Sequence, residues 1–503
     1  MKHIVTKTTA VILTGITFFH LDKPICFGGN LLAGNLVAVE LLFLLAYAAA
    51  FVLGLWLFIA PPHWLKNVKT AAALIVGIYV FSRLAWSPLL EIRGYCTIMA
   101  ILFALLILSS LVTYREYWAR HIRTWYGLWG ELSPQTLLMI FVVLLLSSMA
   151  SGIVTPNGWA FTHNLFTYQH GFIKRGLIGA MLELIDHPLV YSKGFSDIFG
   201  WLLLGINMSL LSLLVYRAIK GCGPLYALFA ILFAASASPV FLTYTAGYYD
   251  HVGLLATLLV LLISGFWLKF TLATLLFTAS MFAHEAGLVI FAPVIFLSMF
   301  LQVQRSPLRI ALLATYGVFL VGLVFVIGST SVSESTLAAI TATMQAKTNA
   351  PIVLDVINVL GMSGSENMAL VQEKWQRIPM ATWMLLQLAH TLPTVILFVW
   401  AQLWILRSRR YHRRWIPATI VASCSAYLLY IFGMDLGRWN TLVILTSFLL
   451  LTEFFWAEKD IALSMDSKRA WVIPAGMLVV FILNRTTAMS PIFGPGMKWF
   501  PYF

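Results

Sequence analysis

The sequence predicts an all-α, polytopic integral membrane protein. Of its 503 residues, 60% are apolar and 10% are charged, whereas about a quarter of the residues in an ordinary soluble domain are charged. Mean hydropathy is +0.89, and the apolar residues recur in blocks long enough to cross a bilayer. This pattern excludes a soluble enzyme, a disordered chain and a receptor with a single membrane anchor.

The apolar blocks predict about 13–15 transmembrane segments. They lie near residues 8–20, 36–60, 70–86, 96–114, 136–153, 196–216, 223–245, 251–268, 270–282, 285–303, 309–328, 380–406, 415–434, 438–456 and 470–484. The four cysteines are too few and too scattered for a disulfide scaffold or a metal site.

The net charge of +13 predicts an orientation in the membrane, with no nucleic-acid partner. Most Lys and Arg residues fall in short gaps between apolar blocks, where they mark cytoplasmic loops. The densest run, from Arg407 to Arg414, and the single Lys269 are then cytoplasmic. We therefore expect a cytoplasmic N-terminus.

Four regions follow from the spacing of the blocks. We expect a four-span accessory bundle at 1–130, a core membrane module at 131–328, an outer loop or lid at 329–379, and C-terminal spans with an outer tail at 380–503. Within the core module we expect an amphipathic helix at 172–186 on the outer face and a broken helix at 283–285.

The first unusual motif is Tyr168-Gln-His-Gly-Phe-Ile-Lys-Arg-Gly-Leu-Ile-Gly179. Lys174 and Arg175 lie beside apolar residues at helical spacing, which is typical of a helix in the membrane interface. Cations near a helix terminus favour a lipid phosphate or pyrophosphate as ligand, and His170 is a further candidate for substrate binding. The alternative is a pair of side chains that touch ordinary headgroups.

The second motif, Ala246-Gly-Tyr-Tyr-Asp-His251, places an acid at the outer start of a predicted span. Asp250 is either a catalytic base or a helix cap. Tyr249 and His251 beside it are candidates for substrate binding.

The third motif is Phe282-Ala-His-Glu-Ala-Gly287. The preceding apolar block, 270–282, corresponds to only about 18 Å of helix, which predicts that His284 and Glu285 lie below the membrane surface. Ionisable residues at such depth usually face a water-filled cavity or a partner, so the pair is a catalytic candidate. A structural hydrogen-bonded pair is the alternative.

The fourth motif, Gly433-Met-Asp-Leu-Gly-Arg-Trp439, joins two spans by a short turn at the outer boundary. Asp435 is a catalytic candidate, and Arg438 is a candidate to bind a phosphate. The two side chains could also simply pair with each other.

Together these motifs predict an outer-leaflet site for transfer of a group from a lipid phosphate carrier to a hydroxyl acceptor. A carboxylate or a histidine would take the proton of the acceptor while the cations hold the departing phosphate. No phosphate-binding glycine loop, serine elbow or metal-ligand histidine spacing occurs in the sequence. No cofactor is therefore assigned, although the use of a divalent cation remains an open possibility.

In its layout from about 136 to 484, the chain resembles the GT-C glycosyltransferases, which use polyprenyl-phosphate sugars. The Gly-Phe-Ile-Lys-Arg-Gly, His-Glu and Asp-Leu-Gly-Arg-Trp stretches also resemble those of bacterial membrane proteins linked to surface polysaccharides. The resemblance implies a periplasmic active site in a bacterial inner membrane, with a polyprenyl-linked sugar as donor and a glycan or lipid as acceptor. An O-antigen-type polymerase that uses polyprenyl-pyrophosphate glycan stays open, as does a transporter or lipid-linked glycan flippase.

Overall fold

A computed structural model describes residues 129–457, with short gaps at 186, 304–305, 378–379, 409–414, 432 and 434. All of these residues except Trp129 belong to one compact unit, Gly130–Ser464. Every regular element in the described ranges is helical, which confirms the all-α prediction there. The predicted accessory bundle and the last predicted span, 470–484, lie outside these ranges, apart from residues 129 and 130.

The described helices comprise long apolar helices, shorter apolar helices and a group of short helices at one end. Their bounds are α1 Pro134–Ser151, α2 Gly158–Asn164, α3 Leu177–Glu183, α4 Lys193–Cys222, α5 Pro224–Ala234, α6 Ala237–Tyr244, α7 Asp250–Leu261, α8 Phe266–Ala283, α9 Gly287–Ile290, α10 Ala292–Phe300, α11 Pro307–Ser329, α12 Glu334–Lys347, α13 Leu354–Gly361, α14 Gly364–Arg377, α15 Met380–Ser408, α16 Trp415–Cys424 and α17 Leu436–Ala457. Short 3₁₀ turns lie at Pro188–Tyr191 and Ser425–Ile431, and Ala273–Phe277 within α8 is π-helical.

The starts of several helices are encoded by capping residues. The side chains of Ser133, Asn157 and Ser192 each accept a hydrogen bond from a backbone N–H in the first turn of α1, α2 and α4, a group that no residue within the helix can pair. Proline opens α1, α5 and α11, where its missing N–H costs nothing.

Helix α17 lies at the centre of the unit. In its most apolar window 89% of the residues are buried, and it packs against α15, α16, α5, α6 and α10. A largely apolar helix lies either in a protein core or across a membrane, and other helices surround α17. Residues near its two ends therefore lie inside the protein.

Helix α11 lies at the periphery, since only 22% of its most apolar window is buried. Val318 and Phe325 on its open face are each 75% exposed. A long, exposed apolar face favours a lipid environment over water. Among the described residues, four helices (α4, α8, α11 and α17) are long and apolar enough to cross a membrane, and the bent pair α5 and α6 would make five.

The predicted division between the blocks 251–268 and 270–282 is wrong. Helix α7 ends at Leu261, and α8 begins at Phe266 and has 18 residues, which is about 27 Å of helix. The break between the two helices is at residues 262–265, and Lys269 is buried within α8. The argument that His284 lies below the membrane surface, which assumed a helix of only about 18 Å before it, is therefore not supported.

The predicted amphipathic helix at 172–186 is also too long. Only Leu177–Glu183 is helical, because Arg175 adopts a left-handed backbone conformation with φ of 63°, which a right-handed helix excludes. Lys174 and Arg175 therefore lie in a turn before α3, held close to the bundle.

We expect Gly179→Ala to disturb the packing of α3 against the segment that contains Phe166. A Cβ atom at position 179 would lie 2.0 Å from the carbonyl oxygen of Phe166, and overpacking of this kind typically costs about 1–3 kcal/mol. Thermal unfolding of the purified protein measures the loss. Gly205→Ala in α4 is the matched control, because nothing lies within 4 Å of its new Cβ, and equal stability of the two variants would contradict the packing described here.

Within the predicted loop or lid at 329–379, the structure contains α12, α13 and α14. Helices α12 and α13 pack on α2 and the following turn through a cluster of buried apolar side chains: Phe161, Leu165, Phe166, Ile173, Ile340, Met344, Val356, Ile357 and Leu360. The backbone N–H of Val353 also donates to Oγ1 of Thr162, at 3.0 Å. Any motion of this region as a lid stays a prediction.

Candidate functional site

Four separate segments bring ionisable side chains together at one end of the bundle. Arg175 comes from the turn before α3, Asp250 from the first residue of α7, and His284 and Glu285 from the break after α8. Arg438 comes from the first turn of α17. These five side chains, called the charged network below, were all candidates from the sequence.

One half of the network is the pair Arg175 and Glu285. Nη2 of Arg175 donates to Oε1 of Glu285 at 2.7 Å, and Nε donates to Oε2 at 3.2 Å. This two-point geometry is the strong form of an arginine–carboxylate contact. The side chains are 18% and 21% exposed, so the pair is accessible to a ligand.

The other half is the pair Arg438 and Asp250, which His284 joins to the first. Nε of Arg438 donates to Oδ2 of Asp250 at 2.5 Å, and Nη2 lies 2.9 Å from Nε2 of His284. Because a guanidinium can only donate, Nε2 is the acceptor in this contact. The backbone nitrogen of Ala286 lies 3.3 Å from the other ring nitrogen, Nδ1. That ring nitrogen is 3.8 Å from Oε2 of Glu285, so His284 links the two halves.

Asp435 lies at the edge of the network. Its Oδ2 is 3.8 Å from Nη1 of Arg438, much farther than the contact between Arg438 and Asp250. The pairing of Asp435 with Arg438 is therefore present, but Arg438 makes its closer contact with Asp250. Removal of Asp435 from water raises its pKa, and the charge of Arg438 offsets only part of that rise.

Aromatic rings hold the guanidinium of Arg438 in place. It lies 4.7 Å from the ring centre of Trp439 and 5.2 Å from that of Tyr248, distances typical of cation–π contacts. The hydroxyl of Tyr248 accepts a hydrogen bond from Nδ2 of Asn157 at 2.5 Å. The N-cap of α2 thus supports Arg438.

His163 of α2 also contacts the network, and the sequence analysis did not select it. Its Nε2 lies 3.4 Å from Nη1 of Arg175. Burial, and then the charge of Arg175, hold the pKa of His163 well below its usual range, so the ring is neutral. The signal that could have identified it is its position twelve residues before Arg175, in the segment that the sequence predicts to lie on the outer face.

Four other candidates from the sequence lie outside the network. His170 is bonded to the hydroxyl of Thr343 at 2.9 Å, and Nζ of Lys174 donates to the carbonyl of Met362 at 2.6 Å. His251 is fully buried, and Tyr249 packs against His163 at a ring separation of 5.3 Å. In the described structure the hydrogen bonds of His170 and Lys174 are thus with Thr343 and Met362, and a role of these four residues in substrate binding stays a prediction.

A second charged cluster is buried at the other end of the same helices. Nζ of Lys269 lies 3.0 Å from Oε2 of Glu453 and 2.5 Å from Oγ of Ser298, and Ser298 also donates to Glu453. Fifteen residues separate Lys269 from His284 along the chain, and fifteen separate Glu453 from Arg438, which corresponds to about 22 Å of helix.

The cluster corrects the assignment of Lys269 as a residue of a cytoplasmic loop. Its side chain is 1% exposed, because Glu453 and Ser298 satisfy the ammonium inside the protein. The sequence gives no direct sign of this pairing, since 184 positions separate the two charged partners.

No protein-family description, curated protein or solved structure matches this chain. Within residues 129–457, as far as they are described, no group of three or more His, Cys, Asp and Glu side chains is placed to hold a metal ion.

Proposed function

We propose that the protein is a multi-pass enzyme of a bacterial inner membrane. It transfers a glycosyl group from a polyprenyl-phosphate-linked donor to a glycan or lipid acceptor on the periplasmic side, for assembly of a surface polysaccharide. The observation that carries the proposal is the charged network: two arginines, two carboxylates and a histidine from four segments meet at one end of apolar helices.

The cations are suited to a departing phosphate. Arg175 and Arg438 present fixed guanidinium groups, and phosphate charge that grows in the transition state is stabilised by donors already in position. Lys174 adds a nearly buried ammonium next to Arg175 in the chain. Among the described residues no carboxylate forms an ion pair with it, so a phosphate would compensate this charge.

Two buried donors near the network strengthen the case for a ligand rich in oxygen. The hydroxyl of Tyr249 and Nε1 of Trp439 have no hydrogen-bond partner within the described structure. A buried donor without a partner costs about 1–3 kcal/mol. Oxygen atoms of a bound phosphate or sugar would supply acceptors for these donors.

Asp435 is the best candidate for the general base. Asp250 and Glu285 are held in close contact with arginines, which stabilises their ionised forms and weakens them as bases. The side chain of Asp435 lies 3.8 Å from Nη1 of Arg438 and accepts a hydrogen bond from the backbone N–H of Arg438, and it is 36% exposed. Its raised pKa is closer to the value that proton abstraction near neutral pH requires.

We expect the rate of transfer to rise with pH through a pKa above the usual aspartate range. The base must be ionised to accept a proton, so protonation of Asp435 at lower pH removes activity. The profile of turnover against pH measures this limb. Asp435→Asn should remove the limb together with most activity, whereas Asp435→Glu should retain a shifted limb. An unchanged profile in Asp435→Asn would exclude this residue as the base.

The proposal is tested with the purified protein in lipid nanodiscs, supplied with a labelled polyprenyl-phosphate sugar and a glycan acceptor. A labelled glycan product supports glycosyl transfer. A polyprenyl-pyrophosphate oligosaccharide as the only active donor would instead support the polymerase. Absence of product with both donor classes would contradict both enzymes.

A transporter or flippase is the second candidate, and two observations favour it. The buried pair of Lys269 and Glu453 places charge at the end of the bundle opposite the network. In addition, α5 and α6 form a second interrupted helix with a bend of 47°, which the sequence analysis did not predict, and interrupted helices are common in transporters. Counterflow of a solute in proteoliposomes without a covalent product would support this candidate.

A further inference from the structure

We propose that His163 is a positioning residue that orients Arg175 for an anionic ligand. This inference rests on the proposed function for the identity of the ligand, a lipid-linked phosphate. It does not depend on that function for the contact itself, which the structure gives directly.

The guanidinium of Arg175 has three nitrogen atoms that donate hydrogen bonds. Glu285 takes Nε and Nη2, and Nη1 faces Nε2 of His163. Because Arg175 can only donate, His163 acts as the acceptor. With both contacts in place, rotation of the guanidinium away from the network breaks hydrogen bonds on two sides.

The surroundings of His163 separate this role from simple packing. Its ring lies among three aromatic rings, at 5.3 Å from Tyr249, 5.5 Å from Phe166 and 6.3 Å from Trp159. A phenylalanine would satisfy such an aromatic environment equally well. What phenylalanine lacks is the acceptor nitrogen that faces Arg175.

The short helix α2 is linked to both arginines of the network, directly to Arg175 and through Tyr248 to Arg438. His163 near its end faces Arg175, and Asn157 at its start bonds to Tyr248, whose ring lies under Arg438. The region formed by α12 and α13 packs on the same helix. Helix α2 therefore fixes the spacing between the two guanidinium groups, with His163 as its contact to Arg175.

The contact is tested by the reactivity of Arg175 toward phenylglyoxal, followed by mass spectrometry of the peptides. Loss of a hydrogen bond to a charged group corresponds to about a tenfold change in an equilibrium. We expect about that increase in the labelling of Arg175 in His163→Phe, and near wild-type labelling in His163→Gln, whose amide oxygen restores an acceptor. The exposed Arg217 is the internal reference. Unchanged labelling of Arg175 in His163→Phe overturns the proposal.

The consequence for the ligand is measured with farnesyl phosphate as a short lipid phosphate. We expect Kd to rise about tenfold in His163→Phe, with recovery in His163→Gln and no change in His187→Phe, a control at an exposed histidine of the neighbouring segment. His163→Leu repeats both measurements should the phenyl ring prevent folding. Unaltered affinity in the folded Phe and Leu variants contradicts a positioning role. Failure of the wild-type protein to bind farnesyl phosphate, with altered labelling retained, contradicts the proposed function and leaves the contact supported.

Discussion

Lys269→Met is expected to lower the free energy of unfolding by about 3–5 kcal/mol, because it leaves the carboxylate of Glu453 buried without its partner. Both side chains are nearly inaccessible, at 1% and 4% exposed. Water therefore cannot replace the lost contact. Thermal or denaturant unfolding in detergent measures the effect.

The double variant Lys269→Met, Glu453→Leu should recover most of the loss. Replacement of a buried ion pair by apolar side chains is often neutral or stabilising, since neither charge then needs to be desolvated. Lys220→Met at the exposed end of α4 is the matched control and should have little effect. A single variant as stable as this control would mean that the pair is not buried as described.

Arg438→Gln is expected to reduce glycosyl transfer about 10²–10³-fold, the usual loss when one donor to a developing negative charge is removed. Arg438 contacts Asp250 and His284 directly and lies 3.8 Å from Asp435. Its removal therefore disturbs the phosphate site and the environment of the base together. Initial rates with a labelled polyprenyl-phosphate sugar measure the loss.

Arg217→Gln provides the comparison, because Arg217 is exposed and donates to the backbone carbonyl of Leu262. Its activity should remain close to that of the wild-type protein. Folding of both variants is checked by thermal unfolding. A folded Arg438→Gln protein with full activity would remove Arg438 from the site.

Much of the helical architecture could be predicted from hydropathy. A chain with so few charged residues has to bury its apolar helices in the protein or place them in lipid. Hydropathy does not resolve breaks inside an apolar stretch. The interruption between α5 and α6 at Ala235 and Ser236, and the start of α8 at Phe266, depend on packing with neighbouring helices. Local composition carries no record of these contacts.

The residues of the network could be predicted because charges are rare in this chain and each one in or near an apolar block requires an explanation. Their partners could not be predicted. Arg438 lies three residues from Asp435, yet its close contact is with Asp250, 188 positions away. Lys269 is a similar case. A single lysine between two apolar blocks predicts a loop, and only the structure reveals its buried partner, Glu453.

The most direct test of the central claim compares the turnover of a labelled polyprenyl-phosphate sugar by the wild-type protein in nanodiscs with that of Arg175→Ala, Asp250→Asn and Glu285→Gln. We predict product from the wild-type protein and a loss in each variant that exceeds any loss of folded protein. Undiminished turnover in all three folded variants would contradict the claim that the charged network is the active site.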